Sequence, residues 1–105
     1  GARIGVMKVV LSDAAMRDIE EIERYIAQDN VAASLRLVDQ LWTLFELIAS
    51  QPKLGRARPE VGRGIRSLAR ESYVTYYFID EEAEVILVSR VLHGARASDS
   101  EMDEA

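Results

Sequence analysis

Between positions 14 and 28 the apolar residues recur at Ala15, Ile19, Ile22 and Ile26. Steps of four, three and four place them on one side of a helix, with Tyr25 beside the stripe. Asp18, Glu20, Glu21, Glu23 and Arg24 cover the other side. Ser12 or Asp13 supplies the side-chain oxygen that caps orphan amides at a helix start. Asp29-Asn30 interrupts the pattern, and Asn30 can cap a second helix over residues 31–49. Its apolar positions are Val31, Leu35, Val38, Leu41, Trp42, Phe45 and Ile48, widened by Leu37, Leu44 and Leu47. Such a broad band is expected of a helix that touches both a sheet and another helix. Trp42 and Phe45 are therefore expected in the core. The short connection makes the two helices an antiparallel hairpin.

Strand patterns flank this hairpin. Lys8-Val9-Val10-Leu11 reads as a short strand before it. After it, Gln51-Pro52-Lys53-Leu54-Gly55 ends the helix, since proline disfavours helical geometry in the residue ahead of it. Residues 56–64 form a basic loop too rich in Gly and Pro for regular structure. Residues 65–70 alternate as a strand does, and residues 73–79 are aromatic and β-branched throughout. Asp80-Glu81-Glu82-Ala83-Glu84 turns the chain into a final strand over 85–92, which opens with Val85-Ile86-Leu87-Val88. The order β-α-α-β-β-β predicts an α+β fold of two layers: the helical hairpin packs on one face of a small, mainly antiparallel sheet. Ile22, Val38, Leu41 and Phe45 should be buried beneath it. The strand at 73–79 has large groups at both parities. Either Tyr73 and Tyr77, or Val74, Tyr76 and Phe78, should therefore face away from the helices and be partly exposed. A contiguous apolar patch of that kind usually marks a binding site.

Composition narrows the picture further. The 105 residues, 49% hydrophobic and 30% charged, suit one domain with an ordinary globular balance. Residues 7–97 are expected to form it. Residues 1–6 carry no usable pattern and read as an extension foreign to the domain, and 98–105 as an acidic, flexible tail. No apolar run approaches the roughly 18 residues of a membrane span, and no cationic-then-apolar leader opens the chain. The absence of cysteine excludes disulfides and fits a reducing cytoplasm. With a single histidine, no metal site and no cofactor is expected. The net charge of −5 is unevenly spread. Lys53, Arg56, Arg58, Arg63, Arg66 and Arg70 face only Glu60 within residues 53–70, a basic stripe able to meet an acidic partner or phosphate.

The final strand closes on Arg90, Val91, Leu92, His93, Gly94, Ala95 and Arg96. Two guanidiniums and the lone imidazole at a strand end call for a surface partner or a hydrogen-bonding role. This run resembles the C-terminal signature of the ParE branch of the ParE/RelE toxins, the toxin halves of bacterial toxin–antitoxin (plasmid stabilisation) pairs. The resemblance extends over Leu11-Ser12, Ala15, Asp18, Ile19, Ile22 and Tyr25-Ile26, then the paired alanines Ala32-Ala33. It continues through Pro52-Lys53-Leu54-Gly55-Arg56, Arg58-Pro59-Glu60, Gly64-Ile65-Arg66-Ser67 and Tyr73-Val74-Thr75-Tyr76-Tyr77. The chain departs from the pattern at Phe78, where arginine is common, and at Ala97, where aspartate is common.

The resemblance implies a type II toxin that binds and poisons DNA gyrase without catalysis and is neutralised by a cognate, ParD-like or other, antitoxin. Neither a membrane nor a specific nucleic-acid sequence is an expected partner. Arg90, His93, Arg96 and Arg70 are the candidates for target binding. Arg66, Tyr76, Phe78 and Arg58 are the candidates for antitoxin binding. Arg66 and Arg90 can equally pair with acidic residues of the first helix. Two alternatives stand beside this reading. One is a ribosome-dependent messenger-RNA nuclease of the RelE type, with Arg66, Arg90 and His93 as cations and proton carrier and Glu60 as base. The other is a non-toxic antitoxin-binding module.

Overall fold

The computed structural model describes residues 6–94. Strand β1 (Lys8–Leu11) leads into helix α1 (Asp13–Ala27) and helix α2 (Val31–Ser50). A single 3₁₀ turn at Pro52–Leu54 and the two-residue strand β2 (Arg56–Ala57) follow. Strands β3 (Ile65–Arg70), β4 (Tyr73–Asp80) and β5 (Val85–His93) complete the fold. The helices start where side-chain oxygens stand ready. Ser12 Oγ accepts from the Ala15 amide at 3.0 Å, and Asn30 Oδ1 accepts from the Ala33 amide at 2.9 Å.

The sheet runs β1-β5-β4-β3-β2. β2 through β5 pair antiparallel in sequence, whereas β1 lies parallel to β5. Nearly the whole domain separates β1 from β5, so no tight turn forces them antiparallel. The segment 56–64 is more ordered than its Gly and Pro content predicts, because Arg56 and Ala57 add a ladder to β3 opposite Ser67 and Arg66.

Ala15, Ile19, Leu37, Leu41, Leu44, Phe45 and Ile48 close on Tyr77, Ile86, Val88 and Val91 to form the main core. Leu41 and Phe45 are buried as expected, while Ile22 and Val38 are half-buried at its margin. Trp42 is not a core residue. It is 44% exposed and meets Phe45 edge-on at 5.3 Å. The helix α2 has neighbours on two sides only, so Val31, Leu35 and Trp42 lie on its open third side.

Tyr77 is completely buried, yet its hydroxyl is the hub of a polar network. It donates to the Pro52 carbonyl at 2.6 Å and accepts from the Gly55 amide at 2.8 Å. Those two bonds pin the turn after α2 onto the middle of the sheet. A Cβ on residue 55 would lie 2.6 Å from the Tyr77 hydroxyl and 2.8 Å from the Ser67 carbonyl, so only glycine fits there. Arg66 completes the network by donating to the Gly55 carbonyl at 2.6 Å.

Burial raises the pKa of Tyr77, and that of Tyr73, above the ordinary tyrosine value. A phenol whose folded pKa is raised stabilises the fold fully below about pH 10, and loses that contribution as pH climbs through the folded value. Tyr77→Phe should cost about 1–3 kcal/mol at pH 8, because it leaves the Gly55 amide and the Pro52 carbonyl buried without this partner. The variant should also lose less additional stability than the parent between pH 8 and pH 11, as urea unfolding at the two pH values will show.

Candidate functional site

The end of β5 is shaped by a bulge. Tyr76 pairs with Arg90 but Tyr77 pairs with Val88, leaving Ser89 as the extra residue. Without it, Arg90 would follow Val88 into the core, because side chains alternate along a strand. With it, Val88 and Val91 both face the helices and Arg90 swings to the sheet edge. Ser89 is tied on both sides: its Oγ donates to the Tyr76 carbonyl at 3.1 Å, and its carbonyl accepts from Ser12 Oγ at 2.8 Å.

Asp18 receives what the bulge presents. Its carboxylate accepts from Arg90 Nε at 2.7 Å, from Arg90 Nη2 at 2.9 Å and from the Val91 amide at 3.0 Å. Asp18 is buried, correcting its assignment to the solvent side of the first helix. A buried carboxylate is costly unless paired and hydrogen-bonded, and three donors meet that need here. Arg90 is thus the internal partner of an α1 acid, one of the two roles its sequence position allowed. Its side chain remains 43% exposed, and the bond to Asp18 raises its pKa further. The result is a guanidinium held in a fixed orientation at an accessible strand end.

The other target candidates gather nearby. Arg70, Tyr73 and His93 form one cross-strand row over β3, β4 and β5. Arg70 and His93 are exposed, and the His93 ring meets Tyr73 edge-on at 5.5 Å. Arg96 lies outside the described residues.

The antitoxin candidates have a different fate. Val74, Tyr76 and Phe78 are the parity that faces away from the helices, but Arg58 and Val61 of the 58–64 loop cover the part around Tyr76. Tyr76 and Leu92 are buried there with Val61, Ile65 and Val74 around them. Tyr76 is therefore not an exposed anchor. Arg58, only 7% exposed, is a structural arginine: Nη1 donates to Ser67 Oγ at 2.9 Å and Nε to Glu60 at 2.7 Å. Its guanidinium carbon stands 6.0 Å from the Tyr76 ring centroid. Arg66 serves the turn carbonyls and not an α1 acid, and is half-buried.

Phe78 does stay accessible, at 38%. It sits in a band that crosses four strands, Val10, Leu87, Phe78 and Ile65, each paired with the next. Gly64, at φ +77°, lies so close that a Cβ there would stand 2.7 Å from the Phe78 ring.

Among the described residues no group of acids and histidine is arranged to hold a metal ion, and no helix is long and apolar enough to cross a membrane. The fold and its exposed sites define a small α+β module suited to protein contacts. The chain belongs to the ParE toxin family of type II toxin–antitoxin (parDE) systems, whose model matches residues 9–98. Among solved structures it is similar to the chromosomal ParDE toxin–antitoxin system of P. aeruginosa. That match has a TM-score of 0.67 and 18% identity, over 84% of this chain and 96% of the other. It is also similar to the RelBE2 toxin–antitoxin complex of Mycobacterium tuberculosis, with a TM-score of 0.58 and 26% identity, over 83% and 96%. No curated protein matches significantly.

Asp18→Ala should destabilise the domain by about 1–3 kcal/mol, because the Val91 amide loses its acceptor while Arg90 regains water. Chemical denaturation checks the cost. The His93 ring resonances should shift with it, since β5 loses its tether two residues away.

Proposed function

We propose that this type II toxin acts by binding, with DNA gyrase as its target, and that the end of β5 carries the contact. The observation that supports this reading is the oriented, accessible Arg90, with Arg70 and His93 beside it and Arg96 following in the chain. Planar donors held in place lose little freedom on binding, which is how arginine anchors contribute to protein interfaces. The nuclease alternative is less well served. Arg58 lowers the pKa of Glu60 by direct hydrogen bonding, which weakens the one carboxylate available as a base. Arg66 is engaged with the turn carbonyls.

Purified toxin should inhibit gyrase supercoiling, and His93→Ala or Arg70→Ala should each weaken inhibition about tenfold while leaving the fold intact. Absence of inhibition, together with codon-specific RNA cuts in a translation extract that vanish on His93→Ala, would establish the nuclease instead.

For the antitoxin we propose the outer sheet face. The Val10–Leu87–Phe78–Ile65 band would take apolar anchors from a segment that is disordered alone. Arg66 follows Ile65 in β3 but pairs with the core-facing Tyr77, so a carboxylate of that segment would have to reach it around the sheet edge. Such an interface should bury at least about 1,000 Å² in total. Titration calorimetry should show Phe78→Ser weakening antitoxin binding at least about tenfold, with Arg66→Glu adding a salt-dependent loss. Unchanged affinity in both variants would move the antitoxin to the helical hairpin.

A further inference from the structure

A cleft of about 500 Å³ opens between α1 and the ends of β4 and β5. Glu21, Ile22 and Tyr25 line it from α1, and Tyr73 and His93 line it from the strands, with Asp18 also contributing. The α1 residues fall one turn apart, so Asp18, Glu21 or Ile22, and Tyr25 share a helix face. Tyr25 is 74% exposed, an unusual place for a large aromatic ring with no core to join. Tyr73 stands opposite, half-buried. The two phenols line the same cleft, and burial first and then Tyr25 raise the pKa of Tyr73.

The charges in the cleft are unequal. Asp18 is neutralised by its bidentate bond to Arg90. Glu21 is exposed and acts on that same Arg90 at longer range. Within the Asp18, Glu21 and Arg90 group carboxylates therefore outnumber guanidiniums by one, with Arg70 beside Tyr73 on the far rim. Aromatic rings attract a cation over their faces, and a carboxylate gives it a charged hydrogen bond. The cleft combines both within reach of one side chain.

We propose that this cleft receives one arginine or lysine side chain of the antitoxin. Resting on the antitoxin reading above, the proposal adds a second, cationic anchor to the apolar one at Phe78. The topology provides the path. β1 pairs with β5 only as far as Leu11 opposite Val88, so residues 89–93 of β5 lie at the sheet edge. A segment seated on the outer face can turn around that edge and place a side chain between Tyr25 and Tyr73. There it would cover the row Arg70, Tyr73 and His93. Neutralisation would then follow from direct occlusion of the surface proposed for the target.

Two measurements test this. In the first, isotope-labelled toxin is titrated with Nα-acetyl-arginine amide and with its neutral isostere Nα-acetyl-citrulline amide. The arginine probe should give saturable NMR shifts at Tyr25, Tyr73 and His93, with a dissociation constant on the order of 1 mM, and the citrulline probe should not. Glu21→Gln and Tyr25→Ala, both at exposed positions, should each abolish saturation. In the second, Glu21→Gln should weaken antitoxin binding several-fold, and the loss should shrink at high salt. Equal shifts with both probes, no shifts at all, or full antitoxin affinity in Glu21→Gln would each overturn the proposal. Antitoxin binding that still fails in Phe78→Ser under those outcomes would leave the outer-face reading standing on its own.

Discussion

A single buried carboxylate holds the two layers of this toxin in register. Asp18 gathers both hydrogen-bonding edges of Arg90 and the amide of Val91, and through them joins α1 to the last strand. The arrangement works only because the Ser89 bulge moves Arg90 from the core side of the strand to its edge. Ser12 reinforces the same seam, since one hydroxyl caps α1 and donates to the bulge carbonyl. Remove the carboxylate, and Arg90 and the Val91 amide lose the partner that ties them to α1.

A second anchor on the helix side of the sheet is Tyr77 with Gly55. There the turn after α2 is drawn down by a phenol hydroxyl buried in the sheet's centre, and Arg66 closes the remaining carbonyl. Together with Arg58, which joins the 58–64 loop to Ser67, this takes two bases of the stripe, Arg58 and Arg66, into internal structure. Lys53, Arg56, Arg63 and Arg70 stay exposed. Also open are a guanidinium at the strand end, a phenylalanine in a cross-strand band, and an aromatic and acidic cleft between α1 and β5.

On the proposed reading, that division gives the surface separate tasks. A rigid cation at the strand end suits recognition of a large protein target, whereas the apolar band suits a segment that orders on binding. The bulge matters to both, because it decides which side of β5 each residue serves.

The helical hairpin, the three late strands and the β-α-α-β-β-β order were legible in the sequence. Spacings of three and four, β-branched runs and the capping residues Ser12 and Asn30 are local properties that act before any tertiary contact forms. The family signature was legible too, since it is a matter of residue order. The parallel pairing of β1 with β5 was not, because it joins segments separated by most of the chain. Nor was the burial of Asp18 and Arg58: a charge enters a protein only where partners distant in sequence meet it, and no local pattern announces such partners. Trp42 erred in the other direction, apolar in a band wider than the surfaces available to cover it. Parity along residues 73–79 could be narrowed to two options from sequence, but only the packed loop decided that Tyr76 is hidden and Phe78 is not. Side-chain period comes from the chain itself, whereas exposure depends on what else folds onto the same face.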